Sequence, residues 1–290
     1  RVHRFWVRLD GEHFGQIFDF WGGYDDLQRG LIRVLHALSF VDDATRMLRA
    51  VRFSERFDFI IEERTLSLLK DSLPLLDRLS GARLQHEFDL IFLEGKVSQI
   101  MRSLEKLGIL SSIHSELRWK KLDQDRTELF LSTAAESTLD LKEQQQAIWF
   151  LWLEDHKVDV LAEIASRLRL TSKQSEIIKQ TGQLRRLLPG LKKLRPSQVT
   201  ETLDVFPELV IRTVLYSEED AGCQQILRDF LLHYRNVSAY TGGDDLRKRG
   251  ISPSPLYEQI LSRLKAAWLD GEVTSYEEEI VLLDSILETK

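Results

Sequence analysis

After Gly22-Gly23 the apolar residues of this chain fall at helical spacing in one segment after another, almost to the end. That single switch rules out most fold classes. Before it, residues 5–9 and 14–18 are short aromatic-rich runs separated by Asp10-Gly11-Glu12-His13, the pattern of a β-hairpin around a glycine-containing turn. A lone hairpin is marginal in water, so this one is expected to belong to a larger sheet absent from these residues. The predicted fold class is therefore all-α with a short N-terminal β-hairpin.

The spacing predicts a short helix at 25–29, an extended link over 31–34, and helices at 43–55, 65–71, 82–93, 97–107, 128–135, 142–154 and 158–168. Ser80 is placed to N-cap one helix and Gly108 to stop another. A helix over 172–188 is expected to end at Pro189-Gly190, and Ser197 to cap the next segment. Helices at 208–216 and 222–233 follow, then a loop cluster over 241–255 and a last pair at 256–269 and 275–287.

Composition narrows the function classes. The 290 residues, 43% of them hydrophobic, can bury a sizeable core, and only six prolines among 30% charged residues suit helices with solvated faces. The one cysteine, Cys223, excludes a disulfide framework or a CxxC metal knuckle and fits a reducing, cytoplasmic setting. No apolar run has the length of a membrane span, and residues 1–10 do not read as a signal peptide. With a net charge of −6, contact with a polyanion has to come from local basic clusters. The densest are Arg185-Arg186, Lys192-Lys193-Arg195 and Arg247-Lys248-Arg249, although basic runs near helix C-termini are also favoured by the helix dipole alone. The histidines, His86 and His114 among them, show no metal-ligand spacing, and Trp149, Phe150 and Trp152 sit on a helix apolar enough to be core.

The stretch with most chemistry runs from Phe40 to Phe53 and combines Asp42 and Asp43 with Arg46, Arg49 and Arg52. Asp43 and the three arginines are spaced by three, so neighbours touch while the series winds around the helix and cannot meet one small ligand face. Taken singly, each residue is what an ordinary cap or surface ion pair uses. Taken together, a carboxylate acceptor beside a guanidinium donor matches cytosine and adenine, which each present an amino donor beside a ring-nitrogen acceptor. Guanine and uracil put a carbonyl oxygen where the carboxylate sits and are rejected.

This stretch resembles the nucleotide-reading motif of the class II tRNA nucleotidyltransferase (CCA-adding enzyme) and bacterial poly(A) polymerase family, a pattern close to E-D-x-x-R-x-x-R-A-x-R-F, with Asp42 in place of Glu. Asp19 to Arg33 resembles the family's D-x-x-G-G-x-x-D-L-x-x-G-x-I-R stretch, and Phe57 to Ile61 with Thr65 its next segment. Ser80, Arg83 and Glu87 resemble a S-x-E-R-x-x-x-E motif, with Ala82 in place of Glu. Gly243 to Leu246 with Gly250, Pro253 and Pro255, then Leu269 to Gly271 and Thr274, resemble the tail signature, with Ser254 in place of Gly.

The resemblance implies an elongated multi-helix neck, body and tail, the hairpin being the remnant of a head-domain sheet. Residues 1–22 would be that remnant, 23–125 the nucleotide-reading neck, and 126–290 the RNA-binding body and tail. It implies that Asp42, Asp43, Arg46, Arg49 and Arg52 bind the nucleotide, with Asp43 and Arg46 reading the base. Arg185, Arg186, Lys192, Lys193, Arg247 and Lys248 would hold tRNA. ATP and CTP would be the substrates, and Mg2+ would act through the head's D-x-D pair, which these residues do not contain. Arg1 to Arg4 does not match the family motif expected there, and the chain as given is expected not to catalyse alone. Three functions stay open: CMP and AMP addition to tRNA 3′ ends, A-addition or poly(A) synthesis, and a non-catalytic all-α RNA-binding module. Oligomeric state is not read from the sequence.

Overall fold

The computed structural model describes residues 6–134, 139–251 and 255–288; expectations that fall on residues 1–5, Ala135, Pro253 and Ser254 lie outside them. The chain divides into two compact units, residues 1–179 and 180–290. The division expected at 125/126 falls instead within the helix Lys121–Ala134.

The first unit opens with β1 (Trp6–Val7) and β2 (Ile17–Phe18), antiparallel with Trp6 opposite Phe18 and Val7 opposite Ile17. Helix α1 (Gly23–Gln28) leads into β3 (Leu31–Ile32), then α2 (Ser39–Asp42), α3 (Thr45–Phe57), β4 (Ile60–Ile61) and α4 (Glu63–Asp71). The expected extended link is thus a strand, and it pairs in parallel with β4, Leu31 opposite Ile60. Sequence spacing did not reveal this pairing, because two residues are too few for a period of two to show. A 3-10 turn at Leu73–Arg78 precedes α5 (Gly81–Phe92), α6 (Val97–Lys106), α7 (Ile109–Ile113), α8 (Lys121–Ala134), α9 (Leu141–Leu153) and α10 (Val158–Leu168).

Capping chemistry explains several of these boundaries. The Glu62 carboxylate accepts from the Thr65 amide at 3.1 Å and hydroxyl at 2.7 Å, starting α4, while the Val34 amide donates to Thr65 Oγ1 at 3.2 Å. Ser80 occupies the N-cap of α5, but its side chain makes no cap hydrogen bond. Gly108, with φ of 76°, adopts the left-handed conformation just past α6 that glycine favours. Asp140 and Glu143 form a reciprocal capping box at the start of α9.

The core of this unit lies where α3 packs on α5 and α6, and α5 on α9 and α10. Trp149, Phe150 and Trp152 are buried, and Trp149 meets Phe92 edge-on with ring centroids 5.0 Å apart. Both indoles are satisfied, Trp149 Nε1 donating to Asp89 at 2.8 Å and Trp152 Nε1 to the Arg118 carbonyl at 2.7 Å. From α10, Arg167 donates to the carbonyls of Leu76, Leu79 and Ile113, closing the turn before α5.

Helix α11 (Ser172–Leu191) runs through Pro189 rather than stopping before it. Only its last turn follows the proline, so little of the hydrogen-bond ladder is lost, and Leu191 is buried. The second unit continues with α12 (Pro196–Leu203), α13 (Glu208–Tyr216), α14 (Ala221–Leu232), α15 (Gly243–Lys248), α16 (Pro255–Leu269) and α17 (Tyr276–Glu288). Ser197 does not cap α12; it donates from its amide and hydroxyl to Asp270 at 2.9 and 2.8 Å. Part of the expected loop over 241–255 is the short helix α15, which puts Leu246 into a core with Ile260, Leu264 and Leu283.

Candidate functional site

Asp43 is not on α3 but in the extended residue between α2 and α3, with φ of −153° and ψ of 101°. Its Oδ1 accepts from the Thr45 amide at 3.1 Å, the Thr45 hydroxyl at 2.7 Å and Arg83 Nη2 at 2.6 Å. Burial pushes this carboxyl up, but the Thr45 donors and the Arg83 guanidinium outweigh it and hold it below the usual carboxylate range. Asp43 is therefore anionic at neutral pH. Its Oδ2 makes no hydrogen bond among the described residues.

Arg46, half-buried in the first turn of α3, donates Nη1 to the Ser39 carbonyl at 3.0 Å, and its side chain makes no other hydrogen bond or ion pair among the described residues. The Asp43 and Arg46 side chains are not paired with each other, although the Arg46 amide donates to the Asp43 carbonyl at 3.1 Å. Both line a cleft of about 550 Å³ with Arg49, Ser39, Ile32 and Arg33. Its size suits a nucleotide-sized ligand.

The remaining expected residues separate. Arg49 lines the cleft, with its guanidinium 5.9 Å from the Phe53 ring centroid. Asp42 is exposed, 3.5 Å from His36 Nε2, and is not part of the cleft wall. Arg52 is only 6% exposed and turns to the carboxylates of Glu87 at 3.7 Å and Glu94 at 4.0 Å. Three residues along a helix turn the side chain about 300°, so each step drifts 60° and Arg52 lies about 120° around from Arg46. It borders a different cleft, with Phe53, Arg56 and Lys96.

Two further side chains complete the wall and its support. Arg33 is held by a two-pronged pair with buried Asp26, Nε to Oδ2 at 3.0 Å and Nη2 to Oδ1 at 2.9 Å. Asp19 accepts from the Tyr24 and Trp21 amides, and Gly22, at φ of 69°, lets the chain enter α1 where a Cβ would come within 3.1 Å of Arg33. The Asp19 to Arg33 motif thus builds the wall of the cleft, and Arg83 holds Asp43 from α5. The sequence signal for both arginines was their place in the matched motifs.

The basic clusters fare unequally. Arg185 is spent internally, with its side chain 12% exposed and bonded to Ser217 Oγ at 2.8 Å, 3.5 Å from Glu218. Lys192 pairs with Asp220 at 2.7 Å. Arg247 and Lys248 are exposed, in one-turn pairs with Asp244 and Asp245 at 3.8 and 3.2 Å, of the kind that surface solvation makes weak. Arg186 and Lys193 are exposed with no ion pair among the described residues. Among the described residues no three His, Cys, Asp or Glu side chains are placed to hold a metal ion, and no metal-dependent step is assigned to them. No described helix is long and apolar enough to cross a membrane.

The structure is thus a predominantly helical chain with a carboxylate acceptor and a guanidinium donor side by side in one open cleft. Residues 58–120 match a family model described as "Probable RNA and SrmB-binding site of polymerase A". The chain is 29% identical to the A-adding tRNA nucleotidyltransferase of Geobacter sulfurreducens, over 94% of this chain and 33% of that protein. Its fold is similar to a Thermotoga maritima CCA-adding enzyme complexed with tRNA, with a TM-score of 0.80 and 26% identity, covering 98% of this chain and 70% of that one. It is likewise similar to a CCA-adding enzyme in complex with ATP, with a TM-score of 0.81 and 27% identity, covering 98% and 69% of the two chains. The chain is thus similar to tRNA nucleotidyltransferases over nearly its whole length, and spans about a third to 70% of the length of these relatives.

Proposed function

We propose that these residues are the nucleotide-selecting and tRNA-binding part of a template-independent nucleotidyltransferase that adds CMP and AMP to tRNA 3′ ends. The observation that carries this reading is Asp43 beside Arg46 on one open cleft, each with hydrogen-bonding capacity unspent. The Oδ2 acceptor meets the amino group of ATP or CTP, and the guanidinium donates to the ring nitrogen and to O2 of cytosine. GTP and UTP would set oxygen against oxygen and leave the carboxylate unpaired, which costs about 1–3 kcal/mol. Arg49 braces the nucleotide from the next turn. Within the basic clusters of the body and tail, Arg186, Lys193, Arg247 and Lys248 offer exposed charges to RNA phosphates. Transfer itself needs metal ions, which we assign to carboxylates outside these residues.

Similarity to an A-adding enzyme favours a second reading, in which the same pair serves ATP alone. One experiment separates these: the full-length protein is given tRNA truncated at its 3′ end and each nucleoside triphosphate in turn. Incorporation of CMP and AMP supports the first reading, and of AMP alone the second. Indiscriminate incorporation, or none, contradicts both.

A further inference from the structure

Arg33, Val34, Leu35 and His36 line a second pocket as well as the Asp43 cleft. This pocket has a volume of about 420 Å³, and Trp21, Asp26, Glu62, Arg64 and Leu68 complete its wall. Of the two carboxylates in it, Asp26 is committed through both oxygens and Glu62 through one. Asp26 is bound two-pronged by Arg33, and Glu62 Oε2 accepts from the Thr65 amide and hydroxyl. Arg64 is exposed and has no hydrogen bond or ion pair among the described residues. Trp21 leaves 60% of its surface open.

An open indole and an unspent guanidinium in one pocket are the two groups that single-stranded nucleic acid uses, a base stacking on the ring and a phosphate pairing with the cation. A nucleoside triphosphate offers the same base and phosphate and is the competing occupant that the ATP probe tests. We propose that this pocket takes the terminal nucleotide of a single RNA strand, its base on Trp21 and its phosphate on Arg64. That places it beside the nucleotide whose base Asp43 and Arg46 read. The identity of that neighbour rests on the function proposed above; the pocket's own chemistry does not.

The test measures equilibrium binding of two probes, the trinucleotide CpCpC and ATP, to the full-length protein and to Trp21→Ala, Trp21→Phe and Arg64→Ala. Trp21→Ala and Arg64→Ala are each expected to weaken the trinucleotide about fivefold or more. Trp21→Phe keeps a stacking ring and should stay within about twofold of wild type, and ATP affinity should move by less than about twofold throughout. Unchanged trinucleotide binding in Trp21→Ala and Arg64→Ala overturns the proposal. So does a loss of ATP affinity equal to the loss for the trinucleotide, which would make the pocket a triphosphate site. Asp43→Asn gives an independent readout: an unchanged preference for ATP over GTP sinks the base-reading assignment and leaves the trinucleotide result standing.

Discussion

Asp43 divides its work between two oxygens. Oδ1 caps the start of α3 through Thr45 and is held by Arg83, while Oδ2 makes no hydrogen bond among the described residues. The capping role and the base-reading role, alternatives when the residue is considered alone, are thus compatible on one side chain. Arg83→Ala is expected to let the carboxylate swing and to lower discrimination for ATP and CTP about tenfold, or about 1.4 kcal/mol, in steady-state assays of the full-length protein. The ion pair is partly exposed, so the thermal midpoint should barely move. Asp123 is a different case. Burial pushes its carboxyl up to about 7, although the Lys120 amide donates to it at 2.7 Å. The folded chain then holds a proton that the unfolded chain loses near pH 4, so this residue's contribution to stability falls as pH rises from about 4 to 7. Asp123→Asn should raise the thermal midpoint at pH 8 and leave it nearly unchanged at pH 4, as read by calorimetry.

At the scale of elements, close approach matters as much as spacing. Gly81 begins α5 where an added Cβ would lie 2.5 Å from the Arg167 carbonyl oxygen of α10. Gly81→Ala should cost about 1–3 kcal/mol in chemical denaturation, despite alanine's better helix propensity. Gly95→Ala, which meets nothing within 4 Å, is the control and should be nearly neutral. The long amphipathic helices were legible because their burial repeats over several turns; α10 is expected at 158–168 and found there. The one-turn helices α2, α7 and α15 were not, since four to six residues carry little period to read, although α1, equally short, was expected at 25–29. Nor was the fate of Arg52 visible. Its spacing told that it winds away from Arg46, but the buried carboxylates that receive it come from α5 and the turn after it, which sequence proximity does not reveal.

For the whole molecule, the two compact units rely on different buried carboxylates. In residues 180–290, Glu279 receives the amides of Tyr240 and Thr241 at 2.9 and 2.6 Å, the Thr241 hydroxyl at 2.5 Å and the Trp268 indole at 2.5 Å. Burial pushes this carboxyl up, but those donors outweigh it and hold it below the usual range. Its contribution is therefore present above the ordinary glutamate pKa and is lost as pH falls through the lowered folded value. Glu279→Gln should cost about 1–3 kcal/mol at neutral pH. Hydrogen exchange should show the loss in residues 180–290 and spare the helices before Lys179. The motifs that resemble the family map onto such supports as often as onto the cleft. Asp19, Gly22, Asp26 and Asp245 all cap, turn or pair, which is why sequence could point to the Asp43 cleft as a candidate while the roles of its neighbours were not legible.

The account stands on selection by hydrogen-bond polarity in the Asp43–Arg46 cleft. The most direct measurement is kcat/KM for ATP and CTP against GTP and UTP on 3′-truncated tRNA, for the full-length protein and its Arg46→Ala variant. Removing the donor should cut the preference by about fivefold to a hundredfold, the range of a good bidentate base contact, with the fold intact. An Arg46→Ala variant that selects among the four nucleotides as well as wild type would contradict it.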